Sequence, residues 1–298
     1  MTEPGAWHRL KRNPSALVAA GVLTVIVLLA LIGPELLPAS YREPGPNQYA
    51  SPSLAHPFGT DLNGRDLLYR VLSGTRLSLL VGLCGAAISL VIGTAYGLIS
   101  GYAGGRTDQV MMRGVDILYS IPRLIFILVL INAFNSTLEQ FAAERGWVWL
   151  VDYSRIAILI ISLGVIEWLT MARIVRGQVL AIKSRTFVLA AQALGQSHTR
   201  ILLRHILPNL LGVIVVYLTL TIPAVIIDES FLSFLGLGTQ APRASLGSLL
   251  ADGASAINPV RSFWWMIVFP SLFMALTLLS LNFLGDALRD ALDPRSKS

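Results

Sequence analysis

The run LSLLVGLCGAAISLVIGTAYGLISGYAGG, Leu77 to Gly105, is 29 residues long without one charged side chain, and Arg76 and Arg106 bracket it. A bilayer core of about 30 Å is crossed by roughly 20 apolar residues in a helix, so this stretch is long enough to span. Five further runs flank it: Ala16 to Gly33, Ile117 to Phe134, Ile156 to Ala172, Leu210 to Ile227 and Ser262 to Gly285. Lipid offers backbone groups no partner but each other, which favours helices. Barrel strands would be half as long and alternate in polarity, and these runs do not. The expected fold is an all-α integral membrane protein with six transmembrane helices.

The composition agrees. Of 298 residues, 54% are hydrophobic and 13% charged, where a soluble domain carries about 25% charged residues. The pooling of apolar residues into long runs excludes intrinsic disorder and argues against an ordinary soluble enzyme. The net charge of +6 rests on 20 Arg and 3 Lys. Nucleic-acid binders gather such charge into a patch with aromatic platforms; here it sits in loops between apolar runs. One cysteine, Cys84, inside the opening run, builds no disulfide or zinc framework within the chain.

Orientation follows from Lys and Arg beside the spans. With the N-terminus inside, 15 of the 23 basic residues fall on the cytoplasmic side, Arg9, Lys11, Arg12, Arg295 and Lys297 among them. The first span exceeds a signal-peptide core and lacks a small-residue cleavage site, so it reads as an uncleaved anchor. The expected organisation is a cytoplasmic 1–15, an anchor 16–33, an external loop 34–76, a five-helix core 77–285 and a cytoplasmic tail 286–298. Against the charge rule, Arg65, Arg70 and Arg76 lie on the outer side, alternating with Leu67, Leu68, Val71 and Leu72 in the pattern of a helix along the interface.

Small residues recur every fourth position of the opening run, at Gly85, Ser89, Gly93, Gly97 and Gly101. That spacing returns to one helix face and admits a second backbone closely, either within this chain or from a neighbouring subunit. Ionisable groups inside spans are costly and are functional candidates by default. Glu167 lies mid-span, and Asp228 and Glu229 end the fifth span. They would line a substrate path; alternatively, Glu167 pairs with Arg123 or Arg173 and the outer two are simply wet. Pro223 can kink the fifth span.

The longest and most basic connection between spans is Arg173 to Asn209. Phe187, Leu189, Ala190, Ala193 and Leu194 fall at helical spacing, and Gly195 permits the left-handed backbone that ends a helix. Ser197 can cap a second short helix, which Pro208 is expected to close after Leu207. The result is a knob of two helices over 183–208.

Ala190-Ala191, three residues, then Gly195, with Leu207-Pro208 beyond, resembles the EAA loop of ABC importer permeases. HPFGTDLNGRDLLYRVLSGTRLSLL (His56 to Leu80), MARIVRGQVL (Met171 to Leu180), RHILPN (Arg204 to Asn209), ESFLSFLGLGTQAP (Glu229 to Pro242), LADG (Leu250 to Gly253) and GDALRDALDP (Gly285 to Pro294) extend the likeness over nearly the whole chain. Together they resemble the C-type membrane subunit of oligopeptide and dipeptide permeases. The resemblance implies a type I importer fold, half a pore completed by a homologous second permease subunit, two ATPases carrying ATP and Mg, and an external peptide-binding protein. It implies no cofactor on this chain and a bacterial inner-membrane location, and it assigns coupling to Leu189, Ala190, Ala191, Gly195, Leu207 and Pro208. Leu189 stands where the family's motif opens with glutamate, so docking there would rest on shape and apolar contact. Asn135 to Ser154, with Trp147 and Trp149, reads as a long loop with interfacial anchors, or as a contact for the binding protein.

No Lys follows a Gly, so the chain has no P-loop. His8, His56, His198 and His205 lie outside the spans and form no evident hydrolase or metal site. Alternative readings are a family permease for nickel or another small solute, and a secondary transporter with Glu167 as proton relay.

Overall fold

The computed structural model describes residues 13–292. His8 and the flanking Arg9, Lys11, Arg12, Arg295 and Lys297 lie outside the described residues. Helices dominate: α1 (Pro14–Leu36), α2 (Leu67–Ala103), α3 (Gly105–Ser120), α4 (Arg123–Glu144), α5 (Val148–Ile182), α6 (Thr186–Ala193), α7 (His198–Phe234), α8 (Leu246–Ser255) and α9 (Trp265–Leu292). Among the described residues, six are long and apolar enough to cross a membrane: α1, α2, α4, α5, α7 and α9.

Their ends follow local chemistry. Asn13 Oδ1 accepts the N–H groups of Ser15 and Ala16, with Pro14 at the first helical position, so α1 starts there. Asp66 Oδ1 accepts the Tyr69 N–H at 3.0 Å and starts α2. The span opened at Leu77 in the sequence is thus the continuation of a helix begun ten residues earlier, and no separate interfacial helix precedes it. The pair Gly104–Gly105, both at positive φ, ends α2 and turns the chain into α3.

Three further boundaries differ from expectation. The span expected from Ile117 is divided, because Pro122 disfavours helical backbone at Ile121 (φ −82°, ψ 128°); α3 stops at Ser120 and α4 starts at Arg123. Asn135 to Ser154 is mostly helix, interrupted only at Arg145–Gly146–Trp147, where Gly146 takes φ +70°. Pro208 does not end its helix. Leu202–Ile206 widens to a π-helix, with the Leu207 N–H reaching the Leu202 carbonyl, and this absorbs the missing proline donor.

The described residues form two compact units, 13–82 with 226–287 and 83–225 with 288–292. In the first, Leu67, Val71, Leu249, Trp265 and Met266 form a core joined by Tyr49, Phe58, Phe263, Phe269 and Phe273. Phe58 stacks on Phe269 at 4.0 Å. In the second, the core is Leu98, Met171, Val175, Val179, Val188, Ala191, Ile201, Ile206, Leu210 and Ile214. The small-residue stripe packs there on α5. A Cβ at Gly93 would stand 2.6 Å from Met171 Cβ, one at Gly97 2.6 Å from the Ala172 carbonyl oxygen, and one at Gly101 2.8 Å from Val179 Cβ. At Gly85 it would stand 2.9 Å from Val225 Cγ1 on α7. Ser89 is fully buried on the same helix. The seam is closed from within this chain.

Candidate functional site

The segment 183–208 folds as two helices meeting at Gly195. Gly195 has φ +73°; its N–H reaches the Gln192 carbonyl at 2.9 Å, and the Gln196 N–H reaches that of Ala191 at 3.1 Å. These two bonds make a Schellman closure of α6. Ser197 occupies the cap position of α7 without a side-chain cap bond. Gln196 Oε1 lies 2.8 Å from His205 Nε2, and the Tyr102 hydroxyl 2.9 Å from His198 Nδ1. The two histidines are therefore engaged separately, each bracing the knob. Lys183 Nζ donates to the Gly101 carbonyl at 2.8 Å, tying the start of the segment to the end of α2.

Val188, Ala191, Ile201 and Ile206 seat the knob on the core of the second unit. Ala191 is 3% exposed and faces inward, where with Val188 it packs in the core that holds Val175 and Val179. Leu207 is half-buried, while Ala190, Gly195 and Pro208 are exposed. Leu189 is 50% exposed, Phe187 42% and Leu194 81%. Phe187, Ala190 and Leu194 share one face at i, i+3 and i+7. Leu194 is the residue that motif reading left out; a large apolar side chain placed just before the helix-ending glycine was its signal.

Behind the knob a polar ladder joins α3 and α4 to α5. Asp108 takes both Nε and Nη2 of Arg176 at 2.6 Å and the Ser100 hydroxyl at 2.5 Å. Asp116 pairs with Arg173 at 2.7 Å, and Tyr119 bonds Thr170 at 2.6 Å. Arg123 pairs with Glu167. The Arg176 guanidinium holds the Asp108 carboxyl below the ordinary carboxylate range, against the opposing pull of burial.

The three acids considered for a substrate path fall in different units. Glu167 is buried and ion-paired in the second unit. Asp228 and Glu229 belong to the first unit. Glu229 is fully buried, which corrects the expectation of an exposed interfacial acid. It accepts the hydroxyls of Ser78 at 2.9 Å and Ser233 at 2.7 Å, and Ser78 Oγ also accepts the Leu246 N–H at 3.3 Å. Glu229 thus fastens α2, α7 and α8 together. The arginines that stood against the charge rule are paired with acids: Arg65 with Asp61 at 2.9 Å, Arg70 with Asp61 at 2.8 Å and Asp252 at 2.9 Å, and Arg76 with Glu35 at 3.4 Å.

Six apolar spans, with a rigid helical knob presented between two of them, define a polytopic permease subunit. Residues 93–298 match the family described as binding-protein-dependent transport system inner membrane component, and the chain belongs to that family. Residues 5–57 match the N-terminal transmembrane domain of oligopeptide transport permease C. The chain is 44% identical over 295 residues to the oligopeptide transport system permease protein OppC of Haemophilus influenzae, covering 98% of this chain and 88% of that one. It is 43% identical over 291 residues to the dipeptide transport system permease protein DppC of Bacillus subtilis, covering 97% and 85%. Among solved structures, an inward-facing form of the MetNI methionine ABC transporter superimposes with TM-score 0.55 at 20% identity, over 76% of this chain and 98% of that one, a likeness of fold. The protein is accordingly a multi-pass inner-membrane subunit of an ABC importer, a family that works with ATPases and a substrate-binding protein.

Proposed function

We propose that this chain forms half of a translocation pore for oligopeptides or dipeptides. A homologous second permease subunit completes the pore, and two ATPases, carrying the ATP and Mg, dock on 183–208. A peptide-binding protein delivers cargo on the opposite side, with both termini of this chain cytoplasmic. The peptide cargo rests on the relatives that carry oligopeptide and dipeptide permease names. The coupling role rests on one observation above all: Phe187, Leu189, Ala190 and Leu194 are exposed on a knob that Gly195 closes and a buried core holds rigid. A motor acts on such an element only by binding one conformational state better than the other. Leu189 brings no charge to that contact, so apolar burial dominates it. The ion pair of Glu167 with Arg123 speaks against a proton relay there.

The test is reconstitution of the complex with both ATPases and the binding protein. Leu194→Asp is expected to lower peptide uptake at least tenfold while the chain still folds and inserts. Gly195→Val, strained at φ +73°, is expected to uncouple ATP hydrolysis from uptake. Undiminished uptake by both variants would exclude the knob as the coupling element, and transport of nickel but not peptides would move the cargo to the competing reading.

A further inference from the structure

A cleft of about 440 Å³ lies between α3 and α5, lined by Gln109, Met112, Arg113, Asp116, Arg173 and Arg176. Three guanidinium groups meet two carboxylates, Asp116 in the lining and Asp108 beside it. Two are partly engaged: Arg176 gives Nε and Nη2 to Asp108, and Arg173 gives Nη2 to Asp116 while stacking 3.9 Å over the Tyr119 ring. Their side chains keep 34% and 43% exposure. Arg113 is exposed, and makes no hydrogen bond or ion pair with another described residue. An arginine presents five N–H donors in a planar fork. Most of the fifteen donors in this cleft are therefore unspent, facing few acceptors, which is the donor excess that a multi-oxygen anion satisfies.

The surroundings select among anions. On α3, Val110 is 72% exposed and Ile117 66%, with Ile121 beyond them at 37%. Val110 and Ile117, at i and i+7, form an apolar stripe that Ile121 extends past the helix end, and on the helical spacing Arg113 stands between that stripe and the cleft. Buried Val115 covers the opposite side of α3. A helix that joins two spans and exposes an apolar stripe edged by arginine has the build of an interfacial helix.

We infer that the α3–α5 cleft binds the phosphate of an anionic phospholipid, with Arg113 as its principal contact and the acyl chains along Val110, Ile117 and Ile121. Arg173 and Arg176 hold the polar ladder between α3 and α5 at the same time, so an occupied cleft braces that ladder. The shared chemistry is a phosphate group; the apolar stripe assigns it to lipid over a soluble phosphate.

The test uses the full chain, purified and exchanged into phosphatidylcholine nanodiscs, with phosphatidylglycerol titrated and occupancy read by native mass spectrometry. The expected result is retention of phosphatidylglycerol over phosphatidylcholine, weakened about tenfold in Arg113→Gln. Asp116→Asn is expected to tighten it, because the substitution frees Arg173 for the anion. Two variants moving in opposite directions separate binding from misfolding. Equal retention in wild type and Arg113→Gln overturns the proposal, as does displacement of the lipid by inorganic phosphate at equal concentration. Loss of ATPase co-purification in Arg113→Gln with lipid retention unchanged overturns it in favour of a protein contact.

Discussion

Individual side chains in the ladder carry unequal stakes. Glu167 is buried while Arg123 keeps 41% side-chain exposure, so removing one partner is not equivalent to removing the other. A buried carboxylate left without its cation is strongly unfavourable, whereas a half-exposed guanidinium reaches water. Arg123→Gln is therefore expected to lower the thermal midpoint in detergent more than Glu167→Gln does. The opposite ranking would show that the guanidinium, and not the carboxylate, is the group that cannot stand alone. Asp108 supports a pH prediction. Its carboxyl titrates below the usual value of about 3.9 because it accepts two N–H groups of Arg176. A depressed folded pKa means that the stabilisation is complete above the unfolded value and is lost as pH falls through the folded one. The stability gap between wild type and Asp108→Asn should stay constant from pH 8 to about 5, then narrow only below about pH 4. A gap that closes between pH 8 and 6 would assign the effect to another group.

At the scale of elements, glycine position decides whether a helix tolerates a side chain. Gly97 and Gly177 sit on helices that pack together, yet a Cβ at Gly97 would stand 2.6 Å from a backbone oxygen and one at Gly177 meets nothing within 4 Å. Gly97→Ala is expected to destabilise by about 1–3 kcal/mol through overpacking against main chain that cannot yield. Gly177→Ala should stabilise by about 0.5–1 kcal/mol from helix propensity. Denaturation of both variants in the same detergent checks the sign of each. The knob obeys a related rule. Its turn was legible because only glycine adopts φ near +73° without strain, and its two helices were legible from apolar spacing. Which of its apolar residues face outward was not, since Val188 and Leu189 are equivalent in composition and differ only in what stands opposite them. The continuation of α7 through Pro208 was hidden for a similar reason: a proline usually ends a helix, and the π-helix at Leu202–Ile206 that accommodates it has no residue signature.

For the whole molecule, the predicted arrangement puts Ser197 on the cytoplasmic side and Asn63 on the outer side. In a Cys84→Ser background, Ser197→Cys and Asn63→Cys should react with a membrane-impermeant maleimide from opposite faces of oriented vesicles. Labelling of both from one face would refute the topology. Arg65, Arg70 and Arg76 are paired with Asp61, Asp252 and Glu35; orientation is set by Lys and Arg counts and not by net charge, so the labelling experiment decides which side this cluster occupies.

The sequence by itself determined that the chain spans a membrane with six helices, where the knob turns at Gly195, and to which family it belongs. Those properties depend on hydrophobic length, on backbone permissions of single residues and on motifs contiguous in the chain. Tertiary structure alone decided that the glycine stripe of α2 is filled by α5, that Glu229 is a buried fastening held by Ser78 and Ser233, and that Ala191 faces inward while Leu194 faces out. It alone brought Arg113, Arg173 and Arg176 around one cleft. Each of these depends on a partner remote in sequence. Burial and pairing are properties of what a residue meets, and no local pattern encodes the identity of a neighbour that only folding brings alongside.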